Sequence, residues 1–98
     1  MKKLTRTVAL AAMLGTTAFA ADAACYADYK AKRDNPLKLH YGVVELPDSA
    51  CGSLQAAAAN IAPRLAANGW VLLNVLSIFN ADGLAQRKES AGEYYLRY

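Results

Sequence analysis

Hydrophobic and polar residues alternate strictly from Ala27 to Lys32, with Ala27, Tyr29 and Ala31 set against Asp28, Lys30 and Lys32. A period of two predicts a half-buried strand, although Lys, Ala and Arg also favour a short helix. Leu37–Leu46 alternates again. Leu39, Tyr41 and Val43 share one face, and Lys38, His40 and Gly42 share the other, more polar one. Asp34-Asn35-Pro36 lies between the two runs, and Pro36 falls where its missing N–H costs least. A hairpin turning there sets residue 25 opposite residue 46. A helix followed by a strand would climb at unequal rates per residue and lose that match.

From Leu54 to Asn68 the apolar spacing changes to that of a helix, with Leu54, Ala58, Ile61 and Leu65 forming one stripe. Ser53 is the expected N-cap and Gly69 the left-handed residue that ends the helix. Pro63 removes an intrahelical N–H and predicts a kink or restart. Trp70–Phe79 is nearly continuously apolar, the pattern of a central strand covered on both faces. Asn80–Gly92 is polar and long enough for a helical turn at Leu84–Lys88. Glu93–Tyr98 is a β-prone end by its aromatics. The expected fold is therefore α+β: an N-terminal β-hairpin and one kinked helix packed on a small, mainly antiparallel sheet, in the order ββαββ. The last strand is expected to pair with Trp70–Phe79, or beside Leu37–Leu46.

The first residues alter this picture, because they have the form of an export signal. Lys2, Lys3 and Arg6 precede an apolar run, Val8–Leu14, and small-x-small sites end at Ala20 and Ala23. Residues 1–23 are thus expected to be a signal peptide, leaving 24–98 as one small α+β domain in the periplasm or outside the cell. A lipid-anchored Cys25 is the alternative, but Asp22 stands where that signal wants an aliphatic residue. Charge changes as well. The formal +3 of the whole chain rests on the three basic residues of the leader; from Ala21 onward eight Lys/Arg face eight Asp/Glu. The chain therefore gives no electrostatic case for nucleic acid, and Lys30, Lys32 and Arg33 read as a solvated face. No membrane association is expected once the leader is removed.

Cys25 and Cys51 both lie beyond the leader. An even count in an oxidising compartment predicts a disulfide between them, since no C-x-x-C spacing is present to tune a redox pair. In the chain-entropy account, closing a loop of that length contributes about 3.5 kcal/mol. That is a large share for a domain this small.

Tyr41-Gly-Val-Val-Glu-Leu46, Leu65-Ala-Ala-Asn-Gly-Trp-Val-Leu-Leu-Asn-Val75 and Tyr94-Tyr-Leu-Arg97 together resemble a small βαββ domain family of unknown function. Its pattern is Tyr-x-Val-Val, a helix ending Leu-x-x-x-Gly-Trp, a strand, and a Tyr-rich last strand. The resemblance covers roughly Leu39–Tyr98, and Gly69-Trp70 is its most specific element. Pro63 in the helix and Val71, where the family often has an acid, depart from it. The resemblance implies a fold and transfers no site.

Candidate chemistry is sparse. His40 has no ligand-spaced partners for zinc and no nucleophile to activate. Glycines form no phosphate cradle, and Glu45 with Asp48 reads as a strand end followed by a turn. No catalytic residue, metal or cofactor is expected. Six tyrosines in so short a chain suit core packing. Alternation near the end also sets Tyr95 and Arg97 together, and with Tyr98 they form the expected interaction surface for an unidentified protein partner. A small-molecule pocket between helix and sheet is the alternative.

Overall fold

A computed structural model describes residues 24–98, so the expected signal peptide at 1–23 lies outside the described residues. Strand β1 (Cys25–Arg33) turns back into β2 (Lys38–Leu46), helix α1 (Leu54–Ala66) leads to β3 (Val71–Phe79), and helix α2 (Ala85–Ala91) precedes an irregular tail. The fold is α+β.

The hairpin has the register expected from its turn and cysteines, Cys25 facing Leu46 and Arg33 facing Lys38. A short 3₁₀ turn, Asp48–Ala50, then returns Cys51 to the start of β1, where it is disulfide-bonded to Cys25 with Cα atoms 6.1 Å apart. Ser53 caps α1, its Oγ accepting from the Ala56 N–H at 3.0 Å. Gly69 ends the helical segment at φ +85°, and the Trp70 N–H closes back on the Leu65 carbonyl at 3.0 Å.

Three expectations are corrected. The sheet order is β2-β1-β3, all antiparallel neighbours, so β1 is central and the apolar β3 is an edge. Helix α1 lies along β3 and accounts for its inward residues, while Val71, Leu73 and Leu76 stay exposed. Second, Glu93–Tyr98 is no strand. Gly92–Tyr94 is a 3₁₀ turn, and the tail's backbone joins the sheet at a single bridge, where Tyr95 meets Val43 in parallel on the outer edge of β2. Helix α2, longer than the expected turn, stands between β3 and the tail and prevents the hairpin. The order is ββαβα. Third, Pro63 does not break α1, which continues to Ala66, and the buried stripe is Ala57, Ile61 and Leu65 rather than one beginning at Leu54, which is 48 % exposed.

The main core lies between α1 and one sheet face, and it holds Ala27, Tyr29, Ala31, Val44 and Leu46 with the helix stripe. His40 and Gly42 share this face, because they alternate with Val44 and Leu46; it is the apolar face, not the polar one. Helix α2 covers part of the opposite face, where Asp28 and Val43 are buried.

Candidate functional site

Two polar or aromatic clusters hold the C-terminal tail and α2 in place, and between them they shape a cleft. The first is built on β2. His40 is buried among rings: Tyr94 stacks on it at 3.8 Å between centroids, and Trp70 meets it edge-on at 4.3 Å. The Tyr29 hydroxyl lies 2.9 Å from His40 Nε2. Burial, then the nearby Arg33 charge, push the His40 pKa down, and the Glu93 carboxylate opposes them only in part. Burial pushes the Tyr29 phenol pKa well up. At neutral pH the phenol is therefore the donor and Nε2 the acceptor, which puts the ring hydrogen on Nδ1. That atom has no partner among the described residues. Arg33 closes the cluster, its guanidinium 4.0 Å above the Trp70 ring.

The second cluster centres on Asp28 in β1. Ser77 donates to Asp28 Oδ1 at 2.6 Å, while Tyr41 and Arg87 donate to Oδ2 at 2.8 and 3.2 Å. Burial alone would raise the Asp28 pKa; the three hydrogen bonds and the Arg87 charge outweigh it and hold the carboxyl below its ordinary value. Tyr41, desolvated and bonded to that carboxylate, is pushed up to about 12. Arg87 also lies 3.9 Å above the Phe79 ring and donates to the Gly83 carbonyl at 2.7 Å. One arginine thus ties α2 to β1 and β3.

The tail is tied down just beyond. The Leu96 N–H donates to the Val43 carbonyl at 2.8 Å, Arg64 Nε donates to the Tyr98 hydroxyl at 3.2 Å, and Asn68 donates to the Tyr98 carbonyl at 3.3 Å. Leu96 takes a left-handed φ of 60°, a strained geometry costing of order 1 kcal/mol that these anchors hold in place.

Between α2 and this tail opens a cleft of about 610 Å³, lined by Ala85, Lys88, Glu89, Gly92, Tyr95 and Arg97. Of the surface residues expected from the sequence, Tyr95 and Arg97 come together here, and Lys88 Nζ stands 5.7 Å from the Tyr95 ring. Tyr98 does not join them. It is turned to the α1 side, against Arg64 and the main core. The cleft's other wall, Lys88 and Glu89, was missed by sequence reasoning. Its signal was the helix-forming run Ala85-Gln-Arg-Lys-Glu, which admits a longer helix than one turn. The space between α1 and the sheet is filled, with Tyr29, Ala57, Ile61 and Leu65 fully buried.

Among the described residues no three His, Cys, Asp or Glu side chains are grouped to hold a metal ion, and no helix is long and apolar enough to cross a membrane. The disulfide fits an oxidising compartment. No family model, curated protein or solved structure matches this chain.

Proposed function

We propose that the chain is an exported, non-enzymatic interaction module of the periplasm or cell exterior, which holds a segment of a partner protein in the cleft between α2 and the C-terminal tail. The observation that carries this reading is the grouping of Tyr95, Arg97 and Lys88 around one open cleft, while the other aromatics of the tail are spent on anchoring it. An aromatic ring beside two cations suits an extended segment that carries a carboxylate. Glu89 on the same wall supplies an acceptor for the segment's own N–H groups or a basic side chain. The packing of the two anchor clusters supports a preorganised cleft, which reduces the ordering cost of binding.

The test is capture of the partner from native periplasmic extract by wild-type protein and by the Tyr95→Ala/Arg97→Ala variant. Capture is expected to fall at least several-fold at an unchanged melting temperature. Equal capture by both proteins removes the reading. A pocket for a small molecule at the α1–sheet interface has less support, since that interface is closely packed.

A further inference from the structure

Among the described residues the outer edge of β3 is left open along its whole length. On the far side of the sheet the β2 edge meets the tail at Tyr95, but among the described residues no backbone group of β3 bonds outside its ladder with β1. Sheet edges left open usually carry a charge or a proline that prevents pairing. The sequence Val-Leu-Leu-Asn-Val-Leu-Ser-Ile-Phe has neither. The ladder to β1 shifts register twice, between Asp28 and Tyr29 and between Lys30 and Ala31, which leaves Leu76 and Leu73 outside the pairing. Bulges can twist an edge away from a partner, but an edge kept out of contact has no use for exposed leucines. The two shifts here present leucines, 40 % and 49 % exposed, beside Val71 at 52 %.

We infer that this edge pairs with the same edge of a second copy, β3 against β3 in antiparallel sense about a two-fold axis near Val75, giving one continuous six-stranded sheet. The distribution of charge selects this occupant. At the Val71 end Lys30, Lys32, Arg33 and Lys38 of the hairpin stand against Asp34 and the tail's Glu93, a local excess of two positive charges. At the Phe79 end stand Glu45, Asp48 and Asp82, with Arg64 beside Glu45; the Asp28–Arg87 pair is internally neutral. A two-fold axis across an antiparallel edge brings the basic end of one copy to the acidic end of the other. A parallel pairing of the same two edges would bring the lysines together. The strand itself holds no charge that would single out a foreign strand, so self-pairing is the complementary solution.

Analytical ultracentrifugation of the full chain, across a wide concentration range, tests this. The expected result is a monomer–dimer equilibrium, weakened about tenfold or more by Leu73→Lys/Leu76→Lys and eased toward monomer by salt. Amide hydrogen exchange on the wild type provides a readout that no variant can confound. The outer-edge amides of Val71–Phe79 should gain protection as concentration rises, while those of β1 stay constant. A monomer at every concentration, or a dimer indifferent to the two lysines, overturns the inference. So does concentration-independent protection of the edge, which would assign it to residues 1–23 of the same chain. Tyr95→Ala/Arg97→Ala lies across the sheet from this edge and should leave the dimer intact, so the two proposals fail separately.

Discussion

Gly42 leaves the space that the ring of Tyr29 occupies: a Cβ at position 42 would lie 2.5 Å from the Tyr29 hydroxyl oxygen and 2.7 Å from the carbon that bears it. The two residues face each other across the β1–β2 ladder, and Tyr29 is fully buried. The ring cannot yield, because its hydroxyl is held by His40 and its other faces are in the core. Gly42→Ala is therefore expected to destabilise the fold by about 1–3 kcal/mol, the usual range for overpacking. In a Tyr29→Phe background the same substitution should cost less, since the closest atom is gone. A double-mutant cycle by urea denaturation measures that coupling, and additive effects would contradict the contact.

The disulfide should dominate the stability of so small a domain. Cys25 and Cys51 are separated by 26 residues, and releasing a loop of that size is expected to remove about 3–4 kcal/mol. Urea midpoints with and without reductant read the loss directly. Intact-mass measurement should show two hydrogens fewer than the reduced chain, and an unchanged midpoint on reduction would show that the bridge constrains nothing.

How much of this was legible beforehand varies with the range of the interactions. The hairpin register followed from local facts, a turn at Asp34–Pro36 and a cysteine at each end, and the helix limits followed from Ser53 and Gly69. The place of each strand in the sheet did not. An unbroken apolar strand reads the same whether two strands flank it or one helix lies along it, and β3 is the second case. Asp28 looked like an exposed alternating residue because its main ionic partner, Arg87, is 59 residues away. The tail's tyrosines favour strand locally, yet Tyr94 and Tyr98 are recruited by His40 and Arg64 from other elements. In the cleft, Tyr95 and Arg97 were visible as a pair of alternating neighbours, but the helix facing them was not.

Stability should fall in two steps as pH drops. His40 has a lower pKa in the fold than in the unfolded chain, so the unfolded state takes up its proton first and stability declines as pH falls below about 6.5. Asp28 is also lowered, so its contribution is complete above its ordinary value of 3.8 and is lost as pH falls through the still lower folded value. Melting temperatures from pH 8 to pH 3 follow both steps. His40→Gln should flatten the decline near neutrality and leave the acid step in place. A wild-type profile that is level between pH 7.5 and pH 5.5 would refute the buried neutral histidine.

Arg87 offers the sharpest link between the fold and the proposed cleft. It is the guanidinium that holds α2 to Asp28, with side-chain exposures of 22 % and 9 % for the two partners. Removing it strands a mostly buried carboxylate, and Arg87→Met is expected to cost about 2–3 kcal/mol, below a fully buried pair because the arginine is partly wet. Asp28→Asn/Arg87→Met should recover part of that loss, since no unpaired charge remains. The cleft responds differently. Helix α2 forms one of its walls, so both variants should lose partner capture even where stability is recovered. Parallel measurement of urea midpoint and capture separates the two effects, and full capture by the double variant would mean that α2 need not be fixed for the cleft to work.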